Sequence, residues 1–320
     1  MRRRVCMLFL VVTGFLTTDC FMDQLVSGGQ GANSGPGGTP INGNVVLMDY
    51  SAPAEQAFVS ASFAPQSQAN ALEEKVGSVV ADAQARAALS HWAPHWIFPQ
   101  GLSERVAMSS SLSCSTNAAS VQPQSKGRMT AAGDVSTGEL TVTTPTTPTP
   151  TSIPMDSSND YFYSFPGALA SGSYLLAATG SQSIPSWSVT AVLPDSVNSV
   201  KVGGQVLGYQ PVSVSNGSDL QVTWSMDLPS GQDSNLIFLD LSAEAMDGTA
   251  LSVLCGAPES SLVPISGQYY ASIPASDIVS FQQSLNPVLL VMRVQLLQIQ
   301  DQNATLNITT GRSAGGKLSF

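Results

Sequence analysis

The alternation of apolar and polar residues with a period of two constrains this chain more than any other feature of its sequence. It is clearest over 219–226, where Leu220, Val222, Trp224 and Met226 alternate with polar residues. This period indicates an extended strand with one buried face and one wet face, so Trp224 is predicted to be a core residue. Charged residues make up only 11% of the chain, which excludes long surface helices rich in Glu and Lys for most of its length.

Strands are predicted throughout the second half of the chain, separated by short clusters of Gly, Pro, Asn and Asp. They cover 199–202, 219–226, 236–241, 250–255, 269–273, 288–299 and 304–308. About seven strands at this spacing are typical of an immunoglobulin-like or fibronectin-like sandwich. Residues 195–320 are therefore predicted to form a C-terminal Ig-like β-sandwich. The segment 281–300 also fits a helix interrupted at Pro287, but we favour a strand because Pro287 then marks its beginning.

The first half is also mainly strand-forming, and residues 43–194 are predicted to form an N-terminal β-sandwich. Its strands are expected over 45–50, 57–64, 106–114, 139–143, 161–165, 174–178 and 187–193. One amphipathic helix is inserted at about 67–90, because apolar residues recur there at steps of three and four: Leu72, Val76, Val79, Val80, Ala83 and Ala87. We expect this helix to lie across an open end or edge of the sandwich, since its apolar stripe must be buried.

The Thr- and Pro-rich run 143–154 is compatible with two arrangements. It is either an interdomain linker or a long hairpin loop within the first sandwich, and we favour the loop because the flanking strands otherwise lack partners. The boundary between the two sandwiches then falls at Pro194. The predicted fold class is mainly β, with two Ig-like or fibronectin-like antiparallel sandwiches.

The N-terminus has the pattern of a secretory signal peptide over residues 1–19, with arginines at 2–4 followed by an apolar run over 5–16. Such a run is about 18 Å long as a helix and too short for a bilayer core of about 30 Å. The following residues 20–42 are rich in Gly, Ser and Asn and are predicted to be a flexible tether.

Cys20 stands where a bacterial lipoprotein carries its lipid, so it is the candidate lipidation residue. A lipoprotein signal has a small neutral residue before that cysteine, whereas this chain has Asp19. Two destinations therefore stay open: a lipoprotein of the outer membrane or periplasm held through Cys20, and a protein released to the periplasm or the extracellular space.

Cys114 and Cys255 are the two cysteines within the predicted folded body. Export to an oxidising compartment permits a disulfide between them. They lie far apart in the sequence and in different predicted domains, however. We therefore favour the alternative that Cys255 is an unpaired, buried small hydrophobic residue.

The most unusual local composition is the run that contains His91, Trp92, His95 and Trp96. A histidine pair spaced by four on a helix can hold zinc, but Pro94 breaks such a helix and no acidic residue lies within the run. We therefore expect no metal. The four side chains are a candidate contact patch for a carbohydrate or protein partner, and the simpler alternative is a helix end that closes over the core.

Catalytic machinery is not predicted. A serine nucleophile needs a base, only His91 and His95 are available as imidazoles, and the sequence contains no SxxK. No cofactor is expected, and a net charge of −10 with 12 basic residues argues against a nucleic-acid partner. The expected function is an exported, non-catalytic structural or binding module of the cell envelope. The alternatives are adhesion or carbohydrate binding through the aromatic patch, and a secreted hydrolase with its site near His91 and His95.

Three phrases of the sequence resemble a known group of proteins: GSYLLAATGSQSIPSWSVTAVLP over 172–194, DLQVTWSMD over 219–227 and GQYYASIPASDI over 267–278. In this order they are similar to secreted proteins of unknown function that are abundant in myxobacteria and related bacteria. The resemblance covers roughly residues 130–300. It implies an exported β-sandwich protein with a lipoprotein-like start, and it implies no activity.

Overall fold

A computed structural model describes most of the chain beyond the predicted leader and tether. The described residues are 41–50, 56–65, 113–117, 135–155, 160–215, 217–226, 235–246, 250–301 and 304–320. Strands dominate these ranges, and their one α-helix is the short α1 (Ala275–Ile278), which a 3-10 turn over Val279–Gln283 continues. The predicted fold class, mainly β and built from several antiparallel sheets, is confirmed.

A nine-stranded sheet, called here the large sheet, forms one layer of the molecule. Eight of its strands lie in the order β3 (Ser113–Asn117), β14 (Ala250–Pro258), β13 (Asn235–Ala245), β16 (Ser284–Asp301), β17 (Ala304–Ser319), β1 (Ile41–Tyr50), β2 (Gln56–Pro65) and β6 (Tyr161–Phe165). The ninth, β11 (Val212–Ser213), pairs with β17 off this path. Neighbours are antiparallel except for β17, which is parallel to both β1 and β11.

Two four-stranded sheets form the opposing layer. Sheet one has the order β5 (Thr151–Ile153), β4 (Leu140–Thr143), β7 (Gly172–Ala178) and β8 (Trp187–Leu193). Sheet two has the order β10 (Gln205–Val206), β9 (Val197–Val202), β12 (Leu220–Met226) and β15 (Tyr269–Ile273). Both sheets are antiparallel throughout, and alternate residues of β7, β8, β12 and β15 are buried as the period of two predicts.

Each small sheet encloses its own apolar core against the same face of the large sheet. Core one contains Leu140, Tyr174 and Val189 from sheet one together with Leu306 and Ile308 from β17. Core two contains Val222, Trp224 and Ile273 from sheet two together with Leu289, Val291 and Ala314 from the hairpin of β16 and β17. The long β16–β17 hairpin therefore contributes to both cores.

The predicted domain boundary at residue 194 coincides with the passage of the chain from β8 in sheet one to β9 in sheet two. The large sheet contains strands from both sides of that position. The Thr- and Pro-rich run connects β4 to β5 within sheet one, with residues 144–150 as the connection and Thr151–Ile153 as β5 itself.

A third apolar cluster, called here the outer cluster, lies on the face of the large sheet that points away from both cores. It consists of side chains from β1, β2, β13 and β16: Met48, Tyr50, Phe58, Leu236, Phe238, Val288, Leu290, Met292 and Val294. These residues alternate in sequence with residues of cores one and two, so the large sheet is apolar on both faces.

Several predictions fall on residues that the structure does not describe. The signal peptide over 1–19, the greater part of the tether over 20–42 and the helix over 67–90 lie outside the described ranges. Of the strand predicted over 106–114, only the last two residues are described, and they begin β3.

Candidate functional site

Charged residues gather inside the molecule at the junction between the two cores. We call Asp49, Asp195, Glu259, Arg293 and Arg312 the polar belt. Asp49, Glu259, Arg293 and Arg312 are all buried, and Arg293 is completely so. Burying a charged side chain costs free energy unless an opposite charge or hydrogen bonds compensate that cost. The role of the polar belt therefore depends on the partners of these side chains.

The register of the long hairpin places the belt between the cores. Leu289 and Val291 on β16 belong to core two, whereas Leu297 and Ile299 pack against core one. Arg293 interrupts this series. It lies directly opposite Arg312, which interrupts the corresponding series on β17. Side chains directly opposite in an antiparallel pair share a face, so both guanidinium groups enter the space between the cores.

A fork of two hydrogen bonds joins Arg293 to Glu259. Nε of Arg293 donates to one carboxylate oxygen of Glu259 at 2.7 Å, and Nη2 donates to the other at 2.6 Å. Asp195, in the connection from β8 to β9, lies 4.0 Å from Nη1 of the same arginine. Bidentate pairing is the strongest geometry for an arginine and a carboxylate, and it fixes the turn around Glu259 against β16.

Arg312 connects three other segments. Its Nε lies 3.7 Å from Oδ2 of Asp49 on the neighbouring strand β1. Its Nη1 donates to Oγ of Ser196 at 2.6 Å, and its Nη2 donates to the carbonyl of Leu169 at 2.5 Å. Oδ2 of Asp49 also accepts a hydrogen bond from the backbone N–H of Leu169 at 3.2 Å, so Asp49, Arg312 and Leu169 are each in contact with the other two.

Burial shifts the pKa of groups at the belt. It raises the pKa of Asp49 above its ordinary value, while the guanidinium of Arg312 and the N–H of Leu169 oppose that rise. Burial also raises the pKa of Tyr174 to about 12, with Arg312 again acting in the opposite direction. The hydroxyl of Tyr174 donates to the carbonyl of Ala170 at 2.7 Å. Tyr174 is therefore protonated at neutral pH and acts as a hydrogen-bond donor.

The polar belt joins separate elements of the fold. Each of its two cations faces an anion from another segment, and the remaining donors of Arg312 hold a hydroxyl and a backbone carbonyl. Within the described residues, no group of three or more His, Cys, Asp or Glu side chains is arranged to hold a metal ion. The chemistry that this geometry supports is electrostatic attachment of loops to the large sheet.

Cys114 and Cys255 form a disulfide, so the expectation that Cys255 is unpaired was wrong. The expectation assigned the two cysteines to different domains. The large sheet instead contains strands from both halves and places Cys114 on β3 directly opposite Cys255 on β14. Cys255 is fully buried in core two, as expected.

The structure places Trp224 where the sequence predicted it, in core two, with its ring stacked on Tyr269 at 5.8 Å between centroids. The candidate residues Cys20, His91, Trp92, His95 and Trp96 lie outside the described ranges. In the part of the chain that is described, no helix is long and apolar enough to cross a membrane.

A pocket of about 240 Å³ opens next to the turn that follows α1. Its apolar wall includes Pro211, Phe281, Leu285 and Phe320. Among the described side chains that line it, that of Lys317 alone is charged.

No family model matches the chain, and the comparison with curated proteins finds no relative. The solved structures with some similarity include a DUF3823 family protein from Bacteroides ovatus, which is 12% identical, with 56% of this chain and 88% of that chain covered and a TM-score of 0.23. Native alpha-2-macroglobulin from E. coli is 9% identical, with 87% of this chain and 14% of that chain covered and a TM-score of 0.18. Scores this low carry no argument about fold or function.

Sequence reasoning missed the polar belt, although the sequence contains a signal for it. Arg293 is a single charge within the apolar run of β16, and Arg312 follows a glycine in a strand of mixed composition. An isolated arginine in an otherwise apolar strand indicates a buried ion pair, since an unpaired buried charge is too costly. The partners Asp49 and Glu259 require the strand order, which local pattern does not reveal.

Proposed function

We propose that this protein is an exported, non-catalytic structural or binding module of the cell envelope. It is held at the outer membrane through a lipid on Cys20, or released to the periplasm or the extracellular space. Its ligand is a protein or glycan partner and not a nucleic acid. The single observation that supports export most directly is the Cys114–Cys255 disulfide. Structural disulfides persist in oxidising compartments and are rare in the bacterial cytoplasm.

The partners of the buried charges support a non-catalytic role. Both carboxylate oxygens of Glu259 accept hydrogen bonds from Arg293, and Arg312 is bound to Asp49, Ser196 and the backbone of Leu169. A general base or nucleophile needs a free atom directed at a substrate. The hydrogen bonds of the belt instead join loops to the large sheet, and Oδ1 of Asp49 and Nη1 of Arg293, which have no hydrogen-bond partner among the described residues, are buried.

Fractionation of cells that make the full chain tests export. We expect the protein in the envelope or the medium, and after unfolding in denaturant Cys114 and Cys255 should react with maleimide only once a reductant is added. Replacing residues 1–19 with a single Met should keep the chain in the cytoplasm with both thiols reactive, and this variant is the control. A cytoplasmic, fully reduced wild-type protein overturns the proposal.

Attachment is tested separately with Cys20→Ser. A lipid on Cys20 predicts that the wild type partitions into detergent and that the variant moves to the aqueous phase. Cys6→Ser is the matched control and should not change the partition, because Cys6 lies within the predicted signal peptide. Equal partition of wild type and Cys20→Ser favours release. Turnover of peptide, ester or glycan substrates that disappears in His91→Ala/His95→Ala overturns the non-catalytic role.

A further inference from the structure

The connection from β4 to β5 is built from two residue types only. Residues 144–150 are all threonine or proline, and those from Pro145 to Pro150 are exposed. None of these residues is charged, and none belongs to an apolar cluster of the described structure. Neither ion pairing nor core packing therefore accounts for this composition. Exposed segments that combine threonine and proline are typical of O-glycosylated regions.

A turn at the start of this connection uses the hydroxyl groups of Thr144 and Thr146. The backbone N–H of Thr147 donates to the carbonyl of Thr144 at 3.3 Å and to the hydroxyl oxygen of the same residue at 3.0 Å. Pro145 is the second residue of this four-residue turn, a position that its fixed φ favours. The hydroxyl groups of Thr144 and Thr146 are hydrogen-bonded to each other at 3.2 Å. Because the backbone reverses here, the connection is not a continuous polyproline II helix of the kind that binds in an aromatic groove.

The hydroxyl groups of Thr147 and Thr149 have no such role in the loop. No described residue forms a hydrogen bond with either hydroxyl, and both threonines are exposed. Each precedes a proline, which favours an extended backbone at the residue before it. An enzyme that modifies a hydroxyl needs access to the chain on both sides of it, and an exposed loop supplies that access. Thr190 is also exposed, but its strand β8 is paired with β7.

We propose that Thr147 and Thr149 are O-glycosylation sites. The donor is an activated sugar, which is a sugar joined through its anomeric carbon to a phosphate. Oγ1 of the threonine forms a bond to that carbon, the bond from the carbon to the phosphate oxygen breaks, and the phosphate leaves with the electron pair. The hydroxyl proton passes to a base of the transferring enzyme.

The proposed modification lies beside an edge of sheet one. The acceptor threonines directly precede β5, which is the edge strand of that sheet. No charged residue lies between Glu139 and Asp156, so charge does not protect this edge from pairing with other chains. Bulky hydrophilic sugars next to β5 hinder such pairing. The inference goes beyond the proposed function, because the geometry of the loop defines the acceptors wherever the sugar is transferred.

Peptide mapping by mass spectrometry tests the proposal on protein purified from the organism that makes it. Fragmentation by electron transfer keeps sugars attached and locates them. We expect the peptide that contains residues 144–150 to carry sugar on Thr147, Thr149 or both, and the peptide that contains Thr190 to be unmodified. An unmodified 144–150 peptide, or sugar on other threonines only, overturns the proposal.

Thr147→Val/Thr149→Val tests the same sites in the intact protein. Valine has nearly the shape of threonine but no hydroxyl, so the intact mass should fall by the whole mass of the attached sugar. Thr190→Val is the matched control and should retain that mass, and neither variant should shift the urea unfolding midpoint, since all three positions are exposed. An unchanged sugar mass in Thr147→Val/Thr149→Val overturns the proposal.

Fractionation of the same cells separates this inference from the proposed function. Exported, disulfide-bonded protein without sugar overturns the glycosylation sites and leaves the proposed function in place. Protein that carries sugar on Thr147 or Thr149 but stays reduced in the cytoplasm supports the glycosylation sites and overturns export.

Discussion

Arg293 and Arg312 lie directly opposite each other on adjacent strands of the large sheet, and both are buried. Like charges in such a pair destabilise a sheet unless each is neutralised. Glu259 neutralises the first through two hydrogen bonds, and Asp49 lies 3.7 Å from the second. The hairpin that contributes to both cores is therefore joined to its surroundings by two separate ion pairs.

Glu259→Gln should destabilise the protein by about 3–5 kcal/mol, because it leaves the fully buried Arg293 without its bidentate partner. Urea unfolding at pH 7 measures the change. Glu244→Gln is the matched control, since Glu244 is exposed, and it should shift the midpoint little.

Replacing both partners, in Arg293→Met/Glu259→Leu, should restore most of the lost free energy of unfolding. An apolar pair of similar volume needs no charge compensation and avoids the cost of desolvating two ions. A double variant that is less stable than Glu259→Gln contradicts this account of the belt.

Asp240 provides a prediction about pH. It is buried on the outer face of the large sheet, and burial raises its pKa from 3.8 to about 7. A raised carboxyl pKa means that the folded state holds the proton more tightly than the unfolded chain does. The contribution of Asp240 to stability therefore falls as the pH rises from about 4 to about 7, and the full cost is present above that range.

Asp240→Asn removes this ionisation and should stabilise the protein at pH 8 by up to about 4 kcal/mol. The difference from wild type should shrink at pH 5 and vanish near pH 4. Urea unfolding across this range measures it, and Glu139→Gln, at an exposed carboxyl, should show no comparable trend. A pH-independent difference between wild type and Asp240→Asn contradicts the burial argument.

Gly316 tests the close approach of β17 to the segment before β11. A Cβ at Gly316 would meet the backbone of Gly208, and the carbonyl of Gly208 accepts the N–H of Lys317 at 3.0 Å. Gly316→Ala should therefore cost about 1–3 kcal/mol through overpacking. Gly208→Ala is the reciprocal control, because no atom lies within 4 Å of a Cβ built there, and it should be tolerated. Equal unfolding midpoints for the two variants would show that the contact relaxes freely.

Local alternation predicted several strands closely. The periods over 187–193, 219–226 and 269–273 correspond to β8, β12 and β15, because each of these strands has one buried face and one exposed face. The strand preferred over a helix at 288–299 is confirmed as part of β16, which begins three residues before Pro287. In these segments the residue pattern of a single strand is sufficient to predict that strand.

Long-range pairing could not be predicted in the same way. The prediction of 304–308 as a strand captured only the start of β17, because the rest of that strand contains Gly311, Gly315 and Gly316, which weaken a strand pattern. The Cys114–Cys255 disulfide and the polar belt depend on which strands are neighbours. Residue periodicity fixes which face of a strand is apolar, but it contains no information on strand order.

The pairing of β1 with β17 has a consequence for the biogenesis of the protein. Asn44 and Asn307 are register partners although 263 positions separate them. The ribosome synthesises β1 long before β17, so β1 cannot pair with β17 until almost the whole polypeptide has emerged. Contacts between residues so far apart in the sequence slow folding, so the pairing of β1 with β17 is expected to form late in the folding of the chain.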